Sequence, residues 1–503
     1  MSSFLLALIV ALSCLEASGE WSFPTARTHG MSRMLESVEG ANEGVQQEFG
    51  TVDNASLVGA VMLVSSLIFA MVLFYMVNSS RAQIRRSTWS MISMALSIFL
   101  AVMWYQAVGE SLDEAIGPAE TGRQPHVRLI VASLHWLLVC ITFLTLTVCF
   151  SSRFGFSTVT AVSVLGAHLG AFSSKDVFNT LIHMEPFSET VALACSSVFI
   201  AVFCATLWCL LGDTLFIRVA RRVFDKDRVD KLVGVVSDAE NDMFCLCISF
   251  LITQVIRFAI LGELPPAKME SVGHTEEAAN ILLGVSLVLL LVKFPVAWGR
   301  AHKLFRRVPP RMLACLETSH LMTVAWCWLY WGDWVIVDTS TFTHALLAKV
   351  CLAVTFSLLA VLAICTIDGI VVFGTACDLD MYRPGLVKLY DDIVLCVSLL
   401  VAFSWEQCFD MALEDIEKGT VMKATSLKVS MAVLLWVFFL PAWAMYILPR
   451  ALAAEAAELA EEVAHSGKGS KDKHDCRSDA PSPVAATFSE QNVQNDTEFE
   501  CSL

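Results

Sequence analysis

Apolar runs long enough to cross a bilayer recur near 56–78, 88–109, 127–150, 156–174, 187–211, 242–262, 277–299, 315–337, 344–374, 390–411 and 427–449, with polar interruptions between them. A hydrocarbon core of about 30 Å takes roughly 20 apolar residues per helix. The pattern therefore predicts an all-α polytopic membrane protein of about eleven transmembrane helices, with residues 56–449 as one membrane domain.

Composition strengthens this reading. Hydrophobic residues make up 56% of the chain and charged residues 17%, too apolar a balance for soluble cores alone. The formal charge of -15 says less than the side of the membrane on which each charge falls. Most of the 17 cysteines, among them Cys140, Cys204, Cys247, Cys327, Cys351 and Cys396, sit inside apolar runs and read as small buried hydrophobes.

The ends differ in character. Phe4 to Leu15 is apolar but too short to span, and Ala17, Ser18 and Gly19 follow, so 1–19 reads as a signal peptide with no basic n-region. Residues 20–55 are then a short lumenal or extracellular segment. At the other end, 450–503 reads as a cytoplasmic tail, helical from Ala451 to His465 and then too polar to fold. Cys501 is third from the end, which misses the prenylation pattern.

Charge orients the spans. Basic residues alternate between sides, with 17 on the side of Arg81, Arg153, Arg221, Arg306 and Lys388 and seven on the other. The positive-inside rule places the N-terminus outside and the C-terminus in the cytoplasm of a secretory-pathway or plasma-membrane protein. A signal peptide requires the same side for the N-terminus.

The even-numbered spans resemble one another. AFSWEQCFD at 402–410 matches AFSSKDVFN at 171–179, and Leu395-Cys396-Val397-Ser398 matches Leu246-Cys247-Ile248-Ser249. This register equates Trp104, Ser174, Ile256, Trp331 and Trp405, and predicts five tandem helical hairpins of roughly 75 residues plus a closing helix. Fourteen residues earlier stand Ser90, Thr160, Asp242, Glu317 and Asp391, oxygen-bearing side chains expected to cap helix N-termini.

Just after the repeated position the sequence turns polar at one level. Gln106, Lys175, Asp176, Arg257, Asp333, Glu406 and Gln407 fall there, with Gln254 and Asp410 on the faces of Arg257 and Glu406. A charge at mid-membrane costs about 2.5–3.5 kcal/mol, so such groups normally turn toward one another or toward water. They are the candidate substrate or ion pathway. The competing readings are snorkelling of Lys175 and Glu406, an Arg257–Glu406 structural pair, and an interfacial belt formed by Trp104, Tyr105, Trp326, Trp328, Tyr330, Trp331, Trp334 and Trp405. Asp368-Gly369 is expected to mark a broken helix, and Lys293 to snorkel. His135 and His168 have no second ligand at helical spacing and read as hydrogen-bonded residues.

No zinc-protease helix, nucleophile elbow, dinucleotide fingerprint or phosphate loop occurs in the sequence. No cofactor, metal or nucleic-acid partner is expected. These features predict a multi-pass transporter or channel-like permease for an ion or small polar solute. The alternative is a membrane receptor or scaffold whose cytoplasmic partners bind 213–241 and 450–503. An intramembrane enzyme using Glu406 and Asp410 ranks third. The lipid bilayer is a partner in each case.

Overall fold

The computed structural model describes residues 59–116, 124–153, 155–266, 274–301, 308–337, 345–376, 383–419 and 424–457. The proposed signal peptide, the 20–55 segment and the tail beyond Ala457 lie outside the described residues. What is described is all-helical: α1 (Gly59–Val77), α2 (Ala82–Ile116), α3 (Gln124–Arg153), α4 (Phe156–Ile182), α5 (Val191–Val223), α6 (Lys226–Leu261), α7 (Glu276–Ala301), α8 (Pro310–Gly332), α9 (Ala345–Ala376), α10 (Arg383–Gly419) and α11 (Ala424–Ala442). A π turn, Asp333–Val337, extends α8, and another, Trp443–Ile447, follows Pro441 of α11. Each expected span overlaps one of these helices. Nine helices among the described residues are long and apolar enough to cross a membrane, and α7 and α8 are the two outside that set.

Several helices run well past their apolar runs. The expected 213–241 loop is instead the end of α5 and the start of α6, broken only at Phe224 and Asp225. The reason lies in its periodicity: Phe216 and Ala220, then Val229, Leu232 and Val236, repeat at helical spacing and form a buried cluster with Val159. The same lengthening corrects the cap assignment. Ser90, Thr160, Asp242 and Glu317 lie inside α2, α4, α6 and α8, and Asp391 inside α10. Thr160 donates to the Phe156 carbonyl and caps nothing.

Within residues 65–503, packing follows a simple order. Each of α2, α4, α6, α8 and α10 packs on the next in that series, and α10 packs back on α2, so the five form a closed ring. The helix preceding each ring member lies against it: α3 on α4, α5 on α6, α7 on α8 and α9 on α10, while α11 takes this place beside α2. Indole N–H groups tie four of these five pairs. Trp328 donates to Ser286 Oγ at 2.9 Å, Trp405 to Ser357 Oγ at 2.9 Å, Trp443 to Ser93 Oγ at 3.0 Å and Trp208 to Glu240 Oε1 at 3.2 Å. In a lipid setting such polar contacts hold helices together where burial from water cannot.

Three ion pairs hold the end of the bundle near Arg81 and Arg311, and two of them correct expectations. α9 continues unbroken through Asp368, which is 3% exposed and pairs with Arg81. Pairing neutralises the carboxylate without a helix break. Lys293 is 6% exposed and reaches Asp392 at 2.7 Å, so it is held by a carboxylate and does not snorkel. Arg311 joins Glu240 at 3.0 Å and Asn241 Oδ1 at 2.8 Å, linking α8 to α6. Every cysteine among the described residues is a free thiol.

Candidate polar site inside the ring

The ring centre is filled by aromatic side chains. Phe172 of α4, Phe250 of α6, Trp326 of α8 and Phe403 of α10 are all buried. Trp326 meets Phe403 at 4.3 Å between centroids and Phe250 at 5.4 Å, and Phe172 meets Phe403 at 5.8 Å. α4 and α10 are not neighbours in the ring, so the last contact crosses its middle. Tyr105 of α2 joins through Phe172 at 6.0 Å. The small void beside this cluster, lined by Met322, Leu329, Leu399 and Phe403, has no room for a water molecule.

One turn further along each helix, the same face becomes polar. The steps from Phe172 to Lys175, Phe250 to Gln254 and Phe403 to Glu406 and Gln407 are three or four residues, which keeps each pair on one helical face about 5.4 Å apart. Glu406 accepts from Gln106 Nε2, joining α10 to α2. Lys349 of α9 donates to Asp333 Oδ1 at 2.6 Å and to Gln407 Oε1 at 2.7 Å, joining α8, α9 and α10. Lys428 of α11 pairs with Glu110 of α2 and lies 2.8 Å from Asp410 Oδ1 of α10. Of the five ties that cross between helices at this level, three end on α10 and the other two pass through a lysine bound to it.

The remaining cations are held differently. Lys175 Nζ sits 4.6 Å from the Phe250 ring centroid and 6.0 Å from that of Trp326. Arg257 is 2% exposed; its guanidinium lies 3.8 Å from the Tyr330 ring centroid, and it donates to Gln254 Oε1 at 3.1 Å. The anticipated Arg257–Glu406 pair is not formed. Arg257 follows the aromatic face of α8, whereas Glu406 turns to α2 and has Lys175, Asp410 and Lys349 as electrostatic neighbours. Asp176 lies on the His135 side of α4, about 100° of helical rotation away from Lys175.

Of the residues singled out in sequence, Gln106 and Glu406 meet directly, as do Gln254 and Arg257, while Asp333 and Gln407 meet through Lys349. Asp410 is tied to Lys428. Lys349, Lys428 and Glu110 were missed. Lys349 carried a usable signal, since it is a lone lysine inside the apolar run 344–374. The belt assignment fails for Trp326, Tyr330 and Trp334, which are 2–3% exposed in the protein interior. Gly332 interrupts the polar column for a steric reason: a Cβ there would lie 2.6 Å from Leu352 and 2.9 Å from Phe356 of α9. His168 is buried with Nδ1 lacking a partner, and no group of three potential metal ligands occurs among the described residues.

Comparison with protein-family models, curated proteins and solved structures finds no match for the chain.

Proposed function

We propose that the chain is a permease for an ion or small polar solute, with the interior of the five-helix ring as its route, seen in a closed state with the aromatic cluster across the axis. The observation that carries this reading is the layer of charged and amide side chains one turn above that cluster. Helix packing in lipid is achieved by close van der Waals contact and small residues. A charge at that depth costs about 2.5–3.5 kcal/mol and is ordinarily retained for a pathway or a partner. In this reading the ring is built from five repeated hairpins, with α11 closing beside α2. The charge asymmetry places Glu110 and Asp410 toward the lumenal or extracellular side and Arg311 toward the cytoplasm. Transport would require α10 to release Gln106, Lys349 or Lys428 while Phe403 withdraws from Trp326.

The occluded pairing of Lys349 and Lys428 favours a second reading, a receptor or scaffold in which the charges only fix helix positions. Its partners would meet the exposed Arg218, Arg221, Arg222 and Arg228 of the α5–α6 turn and the tail. Proteoliposomes decide between the two. Phe403→Ala should raise solute or ion leak across the bilayer, and cysteines replacing Gln106, Lys175 and Glu406, in a background without reactive thiols, should react with a water-soluble reagent from the N-terminal side. Sealed membranes with Phe403→Ala, together with protection of all three cysteines, would reject the permease.

A further inference from the structure

The ion pairs of the polar layer use up the charges unequally. Lys349 is matched by Asp333, and Lys428 by Glu110 and Asp410. Among the described residues, no carboxylate lies within ion-pair distance of Lys175 or Arg257. Of their carboxylate neighbours, Asp333 is engaged by Lys349 and Glu406 by Gln106, while Asp176, next in sequence to Lys175, lies near it without reaching ion-pair distance.

Both cations instead lie along one aromatic ladder. Trp326 and Tyr330 of α8 stack at 6.3 Å, and Trp334 follows one turn on. Lys175 stands at the Trp326 rung, at the ring centre, and Arg257 between Tyr330 and Trp334, 5.6 Å from the latter ring. His274 stacks on Trp334 at 4.9 Å and ends the ladder. Rings satisfy a cation's field through their faces but accept few of its N–H groups.

At Arg257 that deficit is explicit. Arg257 Nε and Gln254 Nε2 are both buried donors with no acceptor, on residues 2% and 0% exposed, and the bond from Arg257 Nη1 to Gln254 Oε1 holds them side by side. A buried donor without an acceptor is destabilising by about 1–3 kcal/mol, and here two occur together beside a cation lacking a counter-ion. Two buried N–H donors on adjoining side chains, one of them cationic, suit the two oxygens of a carboxylate.

We infer that Arg257 and Gln254 form the binding site for a small organic carboxylate, which makes the solute of the proposed permease an anion, with Lys175 as its next station toward the aromatic cluster. One carboxylate oxygen would accept from Arg257 Nε and the other from Gln254 Nε2, with the apolar remainder against Tyr330 and Trp334. The solute identity rests on the permease reading; the binding site does not.

The test uses the full chain in phosphatidylcholine nanodiscs, following thermal unfolding during titration with sodium acetate and, separately, sodium chloride. Acetate should raise the midpoint saturably, at concentrations at least tenfold below those at which chloride acts. Arg257→Lys keeps the charge but loses the fork, and Gln254→Leu removes one donor; each should weaken the apparent acetate affinity about tenfold. Lys175→Met should weaken it two- to fivefold. An unsaturable acetate response, chloride acting as tightly as acetate, or unchanged acetate affinity in folded Arg257→Lys and Gln254→Leu would overturn the site. Acetate binding without acetate flux in proteoliposomes would overturn the permease and keep the site; cation flux without acetate binding would do the reverse.

Discussion

α3 and α10 are both long helices apolar enough to cross a membrane, yet 72% of the spanning stretch of α10 is buried against 17% of that of α3. The more buried helix is the less apolar one. α10 carries Glu406, Gln407 and Asp410, whereas α3 presents Ile130, Leu134, Leu138 and Ile141 outward. In water this order would be reversed. In lipid, apolar surface gains nothing by leaving the solvent, and polar side chains are what a helix must hide. The division extends to other helices: α2, α4, α6 and α10 of the ring have half or more of their spanning stretches buried, α3, α5 and α11 have less than a quarter, and α9 lies between at 39%.

The contrast is broken most sharply at Lys349. Lys349→Met leaves Asp333 and Gln407 buried without their shared donor, and should lower stability by about 5 kcal/mol, the upper end for breaking a buried pair. Adding Asp333→Asn should recover much of that loss, because the uncompensated charge is then gone; denaturant unfolding in mixed micelles, run as a double-mutant cycle, measures both. Should Lys349→Met prove neutral, the ring interior would be wetter than the packing indicates.

Trp326→Ala comes next. It removes the ring that touches both Phe250 and Phe403 and should destabilise the protein by about 3–4 kcal/mol through the cavity left, read in the same unfolding experiment. Gln106→Leu should have a smaller effect, about 2 kcal/mol, since it deletes one hydrogen bond to a buried carboxylate; restoration by Glu406→Gln in the same chain would identify the lost bond as the cause. The smallest effect belongs to the outer layer, where Leu138→Ala, at 63% exposure, should change stability by less than about 0.5 kcal/mol. A large effect there would mean that α3 faces another protein surface and not lipid.

Much of this was legible from the chain alone. The eleven apolar runs located the helices because span length is set by bilayer thickness, and the AFS and Leu-Cys-x-Ser matches fall on α4, α6 and α10, three of the five ring helices. The polar level was legible too, since a charge inside an apolar run is rare enough to be noticed: Lys175, Arg257, Asp333 and Glu406 all stood out. Helix ends were not, because beyond the membrane a helix such as α5 continues on a separate amphipathic pattern that hydropathy does not report.

What only the tertiary structure decided was partnership. Sequence placed Arg257 and Glu406 at one level and could not say that α8 would offer Arg257 a tyrosine ring while α2 offered Glu406 an amide. Lys349 inside an apolar run and Lys428 at the start of another carry no mark of their partners in sequence, and they meet Asp333 and Asp410 only because α9 and α11 pack against the ring. Hydropathy determines that a segment leaves water. Which side chain lies across from which depends on ring order and helix rotation, and these are fixed by contacts between residues as far apart in sequence as Gln106 and Glu406.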